Sequence, residues 1–329
     1  MKKTSLIVLA VLFTALSIAS CAKQPAAPMA GSAKAEDLLS LLPKEARGVI
    51  VIDIHRLMQT AAVSKSIQEG ENSQKYQKFV QDTGIDPQKD VYFAVAAMMG
   101  DIGQKAQDGA ALVNLKYDKE KLLSRLRQER GELTETDYNG LTIYQASPEE
   151  GQKPMAGAFL DESNILLGSE PAVKQVIDIY QKKADNIWKS EELPALLKGM
   201  DTSSMVWGAF IVPAKAAEQA ATQNPMLAAF SDIRSILIAF DSKDNAFAAE
   251  IKAMCPNADK NKQMAEALIG FKGLGGAAVS AKEPQLGEVL NKIEITSAAD
   301  HVKISAVIPE ALIQSLSQKI KVQKNEEKN

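Results

Sequence analysis

The sequence predicts an α+β fold built from two related units, each an antiparallel sheet with helices, related by an old tandem duplication. Three observations lead there. Short apolar segments rich in β-branched residues follow one another through tight turn signals, which implies antiparallel neighbours. Helical periods separate these groups of strands, and the order of segments repeats once along the 329 residues. With 46% apolar residues, the chain has material for more than one core of ordinary size.

In the first copy, "GVIVIDIHRLM" reads as a strand running into a helix, and "DVYFAVAAMM" and "GAALVNLKYD" as paired strands. "KEKLLSRLRQERG" reads as a helix ended by Gly131. A hairpin follows in "ELTETDYNGLTIYQ", where Asn139-Gly140 accepts the positive φ of a two-residue turn. A second hairpin is expected in "MAGAFLDESNILLGS". The closing helix has Ser169 as cap, Pro171 in its first turn, and Val173, Val176, Ile177 and Tyr180 on one face.

The second copy keeps this order. "SSMVWGAFIVPAKAAEQ" is strand then helix, "SILIAFDSKD" and "NAFAAEIKAM" pair, and "KNKQMAEALIGFKG" is helical. "NKIEITSAADHVKISAVI" is the hairpin, and a closing helix places Leu312, Ile313, Leu316 and Ile320 on one face. Gly270, Gly273, Gly275 and Gly276 are expected to end the preceding helix and lead into "GGAAVSA", a degraded counterpart of the extra hairpin. The expected domains are 37–195 and 196–321, with helices on one side of each sheet. A flexible tether over 21–36 and a charged tail over 322–329 flank them.

The N-terminus has export chemistry. Lys2 and Lys3 form a positive region, Leu6 to Ile18 an apolar run, and Ala19-Ser20 a small-residue cleavage site, so 1–20 reads as a signal peptide. The run is shorter than the roughly 20 residues a spanning helix needs. Ile18-Ala19-Ser20-Cys21 resembles the lipobox of bacterial lipoproteins. That resemblance implies cleavage between Ser20 and Cys21, acylation of Cys21, and attachment to a membrane of the cell envelope on the periplasmic side. Ala22 follows the cysteine where aspartate marks inner-membrane retention in enterobacterial lipoproteins, which favours the outer membrane. The segments "DYNGLTIYQ" and "FLDESNILLGSEPAVKQVIDIY" resemble uncharacterised bacterial envelope proteins of unknown function, over residues 40 to 320.

Composition narrows the partners. The chain carries 38 Lys and Arg against 41 Asp and Glu, and loss of Lys2 and Lys3 with the leader makes it more acidic, which argues against nucleic acid. An aromatic content of 5% disfavours a stacking platform. With Cys21 acylated, Cys255 has no partner for an intramolecular disulfide and is expected to be buried at a strand end.

Catalytic signatures are sparse. His55, beside Asp53, and His301, at a hairpin turn, have no metal-ligand spacing, and neither a Gly-x-Ser-x-Gly elbow nor a Ser-x-x-Lys dyad occurs. Asp241 and Asp244 are too close for a calcium loop and read as a turn. Lys119, Lys121, Arg125, Arg127 and Arg130 share one predicted helix, an amphipathic surface or a phosphate and headgroup contact. Met98, Met99, Met200, Met205 and Met226 read as core filler. No catalytic, cofactor or metal site is therefore expected. The leading expectation is a non-enzymatic, lipid-anchored interaction or structural module of the cell envelope, with an envelope protein as its partner. The alternatives are a carrier of an apolar molecule such as a lipid, held in an apolar cavity, and a divergent hydrolase, which needs a histidine bonded to a carboxylate and a nucleophile.

Overall fold

The computed structural model describes residues 31–68, 70–100, 108–146, 154–214, 222, 230–313 and 315–316. Cys21, the leader, Met226, most of the helix expected after "FIVP" and the charged tail lie outside these residues. The fold is α+β. Among the described residues, twelve strands form one sheet: β1 (Ala46–Asp53), β2 (Val91–Met99), β3 (Asp108–Leu115), β4 (Leu133–Tyr138), β5 (Leu141–Ala146) and β6 (Ala156–Phe159). These continue with β7 (Asn164–Gly168), β8 (Val206–Ile211), β9 (Ser235–Lys243), β10 (Ala246–Met254), β11 (Ile293–Ser297) and β12 (Val302–Pro309). The spatial order is β11-β12-β10-β9-β8-β1-β2-β3-β7-β6-β5-β4, with every neighbouring pair antiparallel.

Both halves repeat one pattern outward from the middle. β1-β2-β3-β7-β6 on one side matches β8-β9-β10-β12-β11 on the other, so β11–β12 stands in the place of the second hairpin β6–β7 and not, as the segment order suggests, of β4–β5. The halves meet at the antiparallel pair β1 and β8, with Val49 opposite Ala209 and Val51 opposite Trp207. The units thus share a single sheet, and the boundary placed at 195/196 falls inside a short helix, Leu193–Lys198.

The turns follow from local chemistry. Asn139 and Gly140 have φ of 56° and 81°, and Asp244 and Asn245 have 53° and 59°, the paired positive values of a two-residue hairpin turn whose twist matches the strands. Between β3 and β4, helix Lys119–Arg130 starts where the Asp118 carboxylate accepts the Lys121 N–H and stops at Gly131, with φ 81°.

Helices cover both faces of the first half, where one covered face was expected. On one face, Val49, Val95, Leu112, Ile143 and Leu166 are buried under three helices: α1 (Gly31–Leu39), the closing helix Glu170–Tyr180, and Leu193–Lys198. On the other, Ile52 and Ala94 pack with Ile54, Leu57 and Met58 of α2 (Ile54–Gln59). Strands such as "VYFAVAAMM", apolar on both faces, require exactly such double cover once central in a sheet.

Three expectations change. The tether to Glu36 is shortened because α1 begins at Gly31; Ala35, Leu38, Leu39 and Leu42 form a helical i, i+3, i+4, i+7 stripe buried in the core. Ser169 begins its helix without a side-chain cap bond, and its hydroxyl is buried without a partner. The glycines at 270–276 do not stop a helix. They lie inside a 25-residue helix, Ala258–Lys282, which continues through "GGAAVSA" and folds back as Pro284–Asn291.

That continuation is set by packing, since a helix-interior glycine costs about 1 kcal/mol relative to alanine. An added Cβ at Gly287 would lie 2.1 Å from Ser280 Oγ, so the two helices cross at close range. Gly275, by contrast, has nothing within 4 Å of such a Cβ. Gly275→Ala should therefore raise the unfolding free energy by about 1 kcal/mol, read as a higher urea midpoint at unchanged m.

Candidate functional site

A polar cluster sits where the two halves meet. At the end of β1, the Asp53 N–H donates to Met205 O at 2.7 Å, and its carboxylate accepts the Arg56 N–H at 2.9 Å, which caps α2. Arg56 then reaches into the second half, donating to Ser203 O at 2.6 Å and to Asp241 Oδ1 on β9 at 2.8 Å. Partial burial pushes the Asp53 carboxyl above its ordinary value, opposed by the Arg56 N–H and charge. Asp201, bonded by the Ser203 hydroxyl and N–H, is held low. These groups are committed to one another, so the cluster acts as a clamp between halves.

Asp53 does not pair with His55. The imidazole Nε2 lies 2.7 Å from Gln59 Nε2, one turn along α2, while Nδ1 is buried without a hydrogen-bond partner. The acid-paired histidine is instead His301, whose Nδ1 lies 2.8 Å from Asp300 Oδ1 in the β11–β12 turn. No described hydrogen bond joins either ring to a Ser, Thr or Cys side chain. The two histidines sit in different halves and do not converge.

Cys255 lies just past β10, half-buried, with its N–H donating to Asn261 Oδ1 at 3.0 Å and its Sγ 3.7 Å from Met264 Sδ. Burial pushes the thiol pKa up, and the Asp232 carboxylate adds to that. Iodoacetamide at pH 8 should therefore modify Cys255 at least tenfold more slowly in the folded protein than in urea; equal rates would contradict this burial. Asn261, fully buried, also donates to Ala299 O at 3.0 Å and bolts the long helix to both β10 and the β11–β12 turn. An asparagine in a helix's first turn looks like a surface residue until its two partners are placed.

Two of the basic side chains on the helix Lys119–Arg130 are paired locally with carboxylates. Arg125 pairs with Asp82 and Glu129, Arg127 with Glu135 at 2.8 Å, and the Lys119 ammonium lies over the Phe159 ring at 5.3 Å. Met205 and Met264 are buried core residues. Among the described residues no group of three or more His, Cys, Asp or Glu side chains converges as metal ligands. A cleft of about 430 Å³ is lined by Lys44, Glu45, Gln175, Lys182, Lys183, Ala184 and Asp185. Its walls are polar and open, with Lys44 paired to Asp185 at 2.9 Å, so it lacks the apolar lining a lipid-like ligand needs.

A family model described as "Protein of unknown function (DUF3352)" matches residues 7–271. The chain belongs to that family. The DUF3352 match runs from the apolar N-terminal run through β10 and into the long helix. No curated protein matches the chain. Among solved structures, crystal form III of the Treponema protein TP0453 is similar at 12% identity, covering 85% of this chain and 97% of that chain with a TM-score of 0.47. Crystal form I is similar at 11% identity, 85% and 96% coverage and a TM-score of 0.47. In this DUF3352 chain, no described helix is long and apolar enough to cross a membrane.

Proposed function

We propose that the protein is a lipid-anchored component of the bacterial cell envelope that serves as a non-enzymatic interaction or structural module. The observation that carries the reading is the leader, in which a positive start and an apolar run end at Ile18-Ala19-Ser20-Cys21. Acylation at Cys21 would fix the body at a membrane surface, the outer membrane by the Ala22 rule, because several buried acyl chains anchor far more firmly than one.

The body has surface for a protein partner. The sheet ends in edge strands β4 and β11, and edges offer unpaired backbone groups. On β10, β12 and β11, the face opposite the long helix presents Glu250, Lys252, Lys303, Ser305 and the exposed Val307. Such a mixed polar face, with Val307 at one end, suits a reversible contact.

Intact-mass analysis of the protein extracted from its envelope tests the anchor. A chain starting at Cys21 with the added mass of acyl chains supports it, and Cys21→Ser should block both cleavage and acylation. A mature chain that starts elsewhere without added lipid overturns it. Native mass spectrometry of the same sample separates the module from a carrier, since a stoichiometric apolar passenger would show at once.

A further inference from the structure

The two edges of the sheet differ. At β11, the Lys272 ammonium of the long helix donates to Ile293 O, at the first residue of the strand. At β4, Thr134, Glu135, Thr136 and Asp137 are all exposed, and the strand pairs with β5 without a bulge, from Leu133 opposite Ala146 to Tyr138 opposite Leu141. It holds neither proline nor lysine, two of the usual guards of an edge. Asn139 and Gly140 make a two-residue turn, so the flanking pair Tyr138 and Leu141 exchanges both backbone bonds. Alternation then turns the N–H and C=O of Leu133, Glu135 and Asp137 outward, and no described hydrogen bond from beyond the sheet reaches them.

The side chains sort by face. Thr136 stands opposite Ile143, which is buried in the core, so Glu135 and Asp137 lie on the other face. Glu135 is paired with Arg127, whereas among the described residues Asp137 and the preceding Glu132 have no ion pair. We infer that the β4 edge docks an extended segment of an envelope protein as an added strand, one with Lys or Arg at alternate positions opposite Glu135 and Asp137. The inference rests on the interaction-module reading and gives the partner its chemistry. Outward backbone groups supply the pairing, and alternate side chains supply the choice of strand. A second copy is disfavoured, because like charges directly across a strand pair repel. The registers that pair the most residues of two β4 strands set Glu135 opposite the second copy's own Glu135 or Asp137. The same acids that reject a like strand attract a basic one.

The test titrates the mature chain, with Cys21→Ser so that no acyl chain contributes, with a short synthetic peptide of alternating lysine and valine. The peptide should bind, and the same peptide N-methylated at alternate residues, which cannot pair along its backbone, should bind at least tenfold more weakly. A glutamate and valine peptide should not bind. Asp137→Lys should weaken binding of the lysine peptide at least tenfold at an unchanged unfolding midpoint, since the side chain is exposed. Asp137→Pro removes an outward N–H and leaves the bonds to β5 in place, and should do the same. No binding of the lysine peptide overturns the inference, as does equal binding of the N-methylated peptide, which would leave charge attraction alone. So does binding that survives both variants, or self-association that Asp137→Pro abolishes, which would make a second copy the occupant. The mass at Cys21 and the search for an apolar passenger report on the anchored module separately, so either reading can fail alone.

Discussion

Gly208→Ala is expected to lower the unfolding free energy by about 3 kcal/mol, the upper end of what overpacking a close contact costs. Gly208 lies on β8 opposite Ile50 of β1, at the seam between the halves. A Cβ there would stand 2.5 Å from Val49 O, a backbone atom that cannot move without opening the β1–β8 pair. Gly48 across the seam is different, because its added Cβ would meet the Phe210 ring, which can rotate. Urea unfolding reads the result as a lower midpoint. An unchanged midpoint would show that the seam has slack, and Gly275→Ala, expected to shift the midpoint the other way, controls for glycine replacement itself.

The local parts of this fold were legible because their chemistry is local. Asn139-Gly140 and Asp244-Asn245 announce their turns in two residues each, and Asp118 and Gly131 bracket a helix without help from the rest of the chain. The seam was not legible. β1 and β8 are joined by no turn, and nothing in "GVIVID" or "VWGAFI" states which strand will lie beside it, so two units that share one sheet read as two separate domains.

The long helix was misread for a related reason. Glycine propensity ends helices by default, and the close crossing of Gly287 against Ser280, far along the helix, is not visible in the local sequence. At the candidate site, Asp53 at a strand end is a local capping signal, but nothing local marks what the Arg56 side chain will reach. Arg56 matters through Ser203 and Asp241, more than 140 residues away, and such partners come only with the tertiary structure.

Trp207→Ala should cost about 3–5 kcal/mol, the range for removing a large buried aromatic side chain. Trp207 is 3% exposed on β8, opposite Val51 of β1 and Ala239 of β9, in a core that runs from Leu166 in the first half to Leu237 in the second. The cavity would therefore open in the part of the core both halves share, and neither half could close it by moving alone. The same residue can report on how the halves unfold. The chain has two tryptophans, and Trp188 is exposed, with its indole N–H on Ser40 Oγ at 3.0 Å. In Trp188→Phe, fluorescence comes from Trp207 alone, and its transition should coincide with loss of far-UV circular dichroism, because melting either half strips one side from β1 or β8. Two separated transitions, with Trp207 following one of them, would mean that the two halves keep independent stability despite the common sheet. A single transition would mean that the seam has made one cooperative unit of the two halves.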